Sequence, residues 1–199
     1  MFYGLGSDGT VSANKNAIKI IGDNTDFYSQ GFFVYDSKKS GSVTISHLRV
    51  SKKEINMPYE IVKADFLACH NARYIGKYDL LAKLKDNGTF LLNCDWSVEE
   101  LEEKLPAGFR RALFEKNINF YMIDAQKIAK ELGLKGKINT IMQSAFFKLS
   151  NIMPYDKAME AMKEAVLKSY SKAGQQVVEM NFRAIELGGQ ALCKIQVNP

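Results

Sequence analysis

The sequence predicts an α/β protein: a three-layer α/β/α domain with a central mixed, mostly parallel sheet and a helical C-terminal third. Three observations carry this. Short apolar, β-branched and aromatic runs alternate with amphipathic helical stretches through the first two thirds of the chain. A G-x-G-x-x-G loop, Gly4 to Gly9, lies between the first such run and the first helical stretch. The last third holds only long stretches of helical spacing. At 199 residues the chain reads as a single domain, 1–199, with a full hydrophobic core.

Taken in order, Met1-Phe2-Tyr3 is the first strand, and Ala17-Ile18-Lys19-Ile20-Ile21 places apolar residues at helical spacing with Lys19 on the other face. Asp26 to Asp36 reads as a strand through Phe27, Phe32, Phe33, Val34 and Tyr35. The polar stretch Ser37 to Ser42 is a loop, and Val43 to Val50 alternates as a strand with apolar residues on both sides, which suits cover on both faces. These neighbouring strands suggest a hairpin, hence a mixed sheet. Pro58 marks a turn before the buried strand Ala64 to Cys69. Tyr78 to Leu84 has the pattern of a short amphipathic helix closed by Asn87-Gly88, with glycine suited to the left-handed position. Thr89 to Asn93 and Ile118 to Ile123 are short apolar strands. Between them, Ser97 and Glu100 form a capping box ahead of Leu101 and Leu105, and Pro106 opens a second segment with Phe109, Leu113 and Phe114 packed. Asp124 caps Ala125 to Leu132, which ends at Gly133. Ile138–Leu149, Tyr155–Tyr170 and Gln175–Leu187 are helices separated by Pro154 and Gly174.

Composition narrows the function. Hydrophobic residues make up 46% and charged residues 25%, as in ordinary soluble domains. No run of about 18 apolar residues suggests a membrane span, and no signal peptide is visible. Cys69, Cys94 and Cys193 are dispersed and form no C-x-x-C, so no metal or iron–sulfur site is expected within this chain, and free thiols suit a cytoplasmic protein. The net charge of +5 allows an acidic partner. The lysines are scattered and no nucleic-acid motif is present, so a small polyanion such as a nucleotide-bearing cofactor fits better than nucleic acid.

The candidate site is the loop Gly4, Gly6, Ser7, Asp8, Gly9 and Thr10, whose glycines let a ligand approach the backbone at a helix N-terminus suited to anions. Asp8 would repel phosphate and reads as a helix cap. A dinucleotide fingerprint wants an acid roughly 20 residues on. Asp36 lies farther away and is followed by Lys38 and Lys39, which disfavours NAD or FAD. Ser37, Lys38 and Lys39 should sit at the end of the second strand beside the loop, where a lysine can meet phosphate, although a solvated hairpin tip explains them equally. His47, with Arg49 on the same side, and His70 read as structural hydrogen-bonding residues; Cys69 and His70 point to opposite faces. No nucleophile–base constellation is visible, so no catalytic residue is assigned. Cys94 reads as a small buried residue. Ser144 and Lys148 share a helix face with Gln143 nearby. Phe146 and Phe147 cannot both face one core, so one should join an exposed apolar patch on the helical third that meets another domain. Met142, Met153, Met159 and Met162 read as core filler.

The blocks Gly4 to Asn16, Ile18-Lys19-Ile20-Ile21-Gly22, Tyr35 to Gly41, Thr44 to Arg49, Phe90 to Cys94 and Ile141 to Leu149 together resemble the gamma domain of pyruvate:ferredoxin (or flavodoxin) oxidoreductases. They occur in the family's order and cover nearly the whole chain, which then looks like one domain of a larger enzyme. The resemblance implies a parent that converts pyruvate and coenzyme A to acetyl-CoA and carbon dioxide, passing electrons to ferredoxin or flavodoxin. It implies that thiamine diphosphate, magnesium and the iron–sulfur clusters belong to other domains; no G-D-G thiamine signature occurs here. This domain would help bind coenzyme A, pack against its neighbours and have no turnover alone. A purely structural interaction module and an independent nucleotide-binding protein remain the alternatives.

Overall fold

The computed structural model describes residues 1–35, 42–56 and 58–196. Its strands are β1 (Phe2–Leu5), β2 (Tyr28–Tyr35), β3 (Val43–Ser51), β4 (Ala64–Cys69), β5 (Leu84–Asn93), β6 (Asn119–Ile123) and β7 (Cys193–Ile195). Its helices are α1 (Thr10–Asn24), α2 (Glu100–Lys104), α3 (Ala107–Glu115), α4 (Ala125–Glu131), α5 (Asn139–Ser150), α6 (Tyr155–Tyr170) and α7 (Gln175–Gln190).

The strands form one sheet in the order β2-β3-β1-β4-β5-β6-β7. β1, β4, β5 and β6 are parallel neighbours, whereas β3 is antiparallel to both β1 and β2, and β7 to β6. All strands but β3 and β7 therefore run the same way, giving the mixed, mostly parallel sheet that the alternating pattern predicts. Side chains alternate between two cores: Phe2 and Leu91 enter the core beneath α1, α4 and α5, while Tyr3, Phe90 and Leu92 enter the core on the side of α2 and α3. Both capping predictions hold. Ser97 N–H donates to Glu100 Oε2 at 2.8 Å and Glu100 N–H to Ser97 Oγ at 3.3 Å; Asp124 Oδ1 accepts from Lys127 N–H at 2.8 Å.

Several expectations are corrected. Tyr78 to Leu84 is not an α-helix. A 3-10 turn at Leu81–Lys83 runs straight into β5, which continues through Asn87 and Gly88. Lys116 drives this, because its Nζ donates to the carbonyls of Leu81 and Leu84 and its own carbonyl accepts from Asn87 N–H at 2.8 Å. The pairing of β4 with β5 jumps from Ala64↔Leu84 to Phe66↔Thr89, so the intervening residues bulge, and Asn87 rather than Gly88 takes the left-handed conformation at φ 61°. Phe114 is 50% exposed, since Leu113 takes the inward position on α3. β7 has no counterpart in the sequence reading; three residues are too few to show a period, and pairing with β6 defines them.

Phe146 and Phe147 are both buried in the same core. The reason is that α5 lies between the sheet on one side and α6 and α7 on the other, so nearly its whole circumference is internal. Phe146 meets Phe2 at 5.1 Å and Phe66 at 5.3 Å, with Phe147 beside it at 5.2 Å. Met142, Met153 and Met162 are buried too, so the patch expected on the helical third is internal at these residues; Leu167 and Tyr170 are the large apolar residues exposed there among the described residues. Ser144 serves this packing: its hydroxyl bonds Tyr155 OH at 2.7 Å and the Ile185 carbonyl. Gln143 Nε2 donates to Ala13 O at 3.2 Å, and Lys148 Nζ lies 4.8 Å from the Tyr155 ring centre.

Candidate functional site

The glycine loop joins β1 to α1, at the C-terminal end of the parallel strands, where open α/β sheets place their ligands. Packing accounts for two of its glycines. A Cβ on Gly4 would lie 2.5 Å from Thr10 Oγ1, so the bare backbone lets Thr10 fold beneath the loop. Gly9 has φ 88°, and a Cβ there would lie 2.3 Å from Asn139 Nδ2. Ser7 is also left-handed, at φ 70°.

Asp8 holds the loop from within. Its carboxylate accepts from Leu5 N–H at 2.8 Å and Thr10 N–H at 2.7 Å, bridging the strand end and the helix start. Its N–H returns to Leu5 O at 3.0 Å, and its carbonyl accepts from Asn139 Nδ2 at 2.6 Å. Asp8 thus acts in the capping sense expected of it. Gly6 N–H donates to Ser42 O at 2.7 Å, which ties the loop to the base of the β2–β3 connection.

These contacts divide the predicted residues. Gly4 and Thr10 are buried, and the N–H groups of Gly6, Asp8 and Thr10 are already used. Among the described residues, the first-turn N–H groups of Val11 and Ser12 have no acceptor. Ser7, Gly9 and Ser12 open onto a cleft of about 450 Å³ that is also lined by Asn16, Lys137, Asn139 and Tyr170. Ser37, Lys38 and Lys39 lie outside the described residues; the Gly6–Ser42 bond brings the described end of their connection against the loop. Asn139 escaped the sequence reading. Its contact with Asp8 spans 131 positions, and no local pattern announces it.

Both histidines are structural. His70 is 6% exposed; its Nδ1 lies 2.9 Å from Thr10 Oγ1, Phe2 meets it edge-on at 6.3 Å, and burial pushes its pKa down to about 4 against the opposing pull of Asp8. His47 is 2% exposed and its Nδ1 accepts from Ile61 N–H at 2.9 Å, so the neutral ring carries its proton on Nε2; burial lowers its pKa to about 4. Burial raises the Cys69 thiol to about 12 and the Cys94 thiol to about 11, while Cys193 is exposed on β7. Among the described residues, no three His, Cys, Asp or Glu side chains are placed to hold a metal ion.

The fold and much of the sequence recur in known proteins. A solved pyruvate oxidoreductase subunit of Thermotoga maritima superposes with a TM-score of 0.77 over 98% of this chain and 96% of that chain, at 20% identity. A 2-oxoglutarate:ferredoxin oxidoreductase of Magnetococcus marinus, solved with 2-oxoglutarate, coenzyme A and succinyl-CoA bound, matches at 0.71 over 98% of this chain and 31% of that one, at 19% identity. At such identities the likeness shows the fold alone. Sequence relatives are nearer: the pyruvate:ferredoxin oxidoreductase of Moorella thermoacetica is 54% identical over 195 residues, and the pyruvate-flavodoxin oxidoreductase of Klebsiella pneumoniae 55% over 196. Each alignment covers 98% of this chain and 17% of the relative, so the chain spans about a sixth of the length of these relatives. The family model described as pyruvate ferredoxin/flavodoxin oxidoreductase matches residues 1–191, and with that match and these identities the chain belongs to this family.

Proposed function

We propose that this chain is the gamma-type domain of a pyruvate:ferredoxin or pyruvate:flavodoxin oxidoreductase, where it binds the phosphate-bearing end of coenzyme A and packs against the catalytic domains. The observation that carries the reading is identity of 54–55% across 98% of the chain with enzymes named for pyruvate oxidation. In this reading the parent is a cytoplasmic enzyme that converts pyruvate and coenzyme A to acetyl-CoA and carbon dioxide and reduces ferredoxin or flavodoxin. Thiamine diphosphate, magnesium and the iron–sulfur clusters reside in other domains, and the isolated domain has no turnover.

The loop's chemistry fits a phosphate. Val11 and Ser12 offer helix-start N–H groups, and the left-handed turn at Ser7 and Gly9 lines the cleft beside them. The Asp8 carboxylate has both oxygens engaged by N–H donors, which offsets its repulsion of an anion. Ser7 and Ser12 supply hydroxyls at the cleft, and in this reading the cation that meets the phosphate is Lys38 or Lys39, with Ser37 as a further donor. Gly4, Gly6 and Thr10 shape the loop from beneath.

One observation favours a second reading, a purely structural module: the glycines at 4 and 9 are each required by packing against Thr10 and Asn139, with no ligand needed to explain them. Calorimetry on the full-length polypeptide separates the two. Coenzyme A should bind and NAD should not, and the Lys38→Ala/Lys39→Ala double variant should bind coenzyme A weakly. Unchanged affinity in the double variant would leave the loop a tight turn.

A further inference from the structure

Among the described residues, helices lie on both faces of the sheet except at the β2–β3 corner. Register places Tyr28, Gln30, Phe32 and Val34 of β2 opposite Ser51, Arg49, His47 and Ile45 of β3, and directly paired residues share a face. α1 occupies the opposite face. There, Ser29 Oγ donates to Ile18 O at 3.0 Å, Lys15 lies over the Phe33 ring, and Ile18 Cδ1 fills the space above Gly31. Among the described residues, no helix covers the Phe32 face. Tyr28 is 51% exposed there, and Phe32, Val34, Val43 and Ile45 are only partly buried. The cover on both faces that the β3 pattern predicts is therefore incomplete.

Two more observations fall on the same corner. His47 Nε2 and Arg49 Nη2 are donors on this face with no acceptor among the described residues; Arg49 stacks 4.1 Å from the centre of the Tyr59 ring and reaches only Gln30 Oε1, at 3.5 Å. Unpaired buried donors are costly, so native structures supply acceptors for them. In addition, β2 ends the sheet with eight residues, Tyr-Ser-Gln-Gly-Phe-Phe-Val-Tyr, that contain no charge and no proline. Terminal strands that stay in water are ordinarily protected by such residues.

We infer that the Phe32 face of β2 and β3, with the free edge of β2, is the surface on which the rest of the parent polypeptide docks, through a segment apolar at its centre and bearing oxygen acceptors for Arg49 and His47. This rests on the domain reading above: the relatives carry this sequence in 17% of their length, so the remainder of a long chain is at hand to cover it. A second copy is the poorer occupant. Two-fold pairing would set this face against itself, and the paired β2 and β3 residues on it include no carboxylate to meet a second Arg49; the Glu60 carboxylate at this corner already acts on His47. Aromatic and arginine residues in a partly apolar patch are the usual anchors of such contacts.

Hydrogen exchange tests it, comparing the 199-residue chain with the full-length polypeptide. Amides of Tyr28 to Tyr35 should exchange at least about tenfold more slowly in the full-length protein. Val34→Glu in the full-length protein should return β2 to the rates of the short chain while α5 stays protected, which shows that the domain still folds; Leu167→Glu on α6 should leave β2 unchanged. Equal β2 rates in the two proteins overturn the inference. So does protection that appears in the short chain as its concentration rises and is lost in its Val34→Glu variant, because a second copy would then be the occupant. Coenzyme A binding is measured separately: its loss with β2 still protected defeats the functional reading and leaves the docking surface standing.

Discussion

Replacing Gly9 with alanine should damage the loop through two separable effects. The residue sits at φ 88°, and holding an L-residue in the left-handed region costs about 1–2 kcal/mol. The added Cβ would also lie 2.3 Å from Asn139 Nδ2, which donates to Asp8 O at 2.6 Å; displacing it forfeits that bond, about 1 kcal/mol, and strands a carbonyl. Together the loss is about 2–4 kcal/mol. With a urea m-value of about 2 kcal/mol/M, the unfolding midpoint should fall by roughly 1–2 M at constant m. Asn139→Ala supplies the decisive background. It removes the clashing group, so Gly9→Ala should there cost only the backbone part, with a coupling of about 1–2 kcal/mol between the two sites. An equal loss in both backgrounds would refute the contact argument, and a loss below about 0.5 kcal/mol in the wild-type background would refute the conformational one as well.

Other consequences follow from particular contacts. His70 has a folded pKa of about 4 against an unfolded value near 6.5, so the unfolded state takes up the proton first; its contribution is fully present above pH 6.5 and is lost as pH falls toward 4, by roughly 3 kcal/mol in all. His47 acts in the same direction, so urea midpoints between pH 7 and 4.5 should decline more steeply in the wild type than in His70→Gln; equal slopes would contradict this. Gly188→Ala gains about 1 kcal/mol of helix propensity. Its Cβ, however, would lie 2.4 Å from the Ile141 carbonyl oxygen, a backbone atom that no rotamer change can move aside, so overpacking of about 1–3 kcal/mol or more should dominate and lower Tm by several degrees. Lys116→Met keeps the apolar stem and leaves the Leu81 and Leu84 carbonyls without their donor, so stability should fall by about 2 kcal/mol in the same urea assay.

Local chemistry made much of the fold legible. Alternation separated Phe2 from Tyr3 across the sheet, and the caps at Ser97 and Asp124 were set by oxygens within three residues of the N–H groups they accept. The failures have tertiary causes. Leu80, Leu81 and Leu84 have helical spacing, but Lys116, more than thirty positions away, fixes their carbonyls in a tight turn that enters a strand. Phe146 and Phe147 looked incompatible with one core because the tier of α6 and α7 over α5 is not visible in the α5 sequence. The G-x-G-x-x-G pattern marked the turn between β1 and α1; Asp8, expected to cap the helix, lies one residue before the cap position at Gly9 and bridges Leu5 and Thr10 N–H. The burial of Thr10 and the role of Asn139 depend on His70 and α5, which a local motif does not contain.

The central claim, that this domain contributes phosphate contacts to coenzyme A and none to the chemistry of pyruvate, is tested most directly by steady-state kinetics of the full-length enzyme carrying Lys38→Ala or Lys39→Ala. A charged hydrogen bond contributes about 1.5–3 kcal/mol, so the apparent KM for coenzyme A should rise roughly 10- to 150-fold in at least one variant, while decarboxylation of pyruvate without coenzyme A stays nearly unchanged. Wild-type dependence on coenzyme A in both variants at physiological salt, or collapse of the decarboxylation itself, would contradict the account.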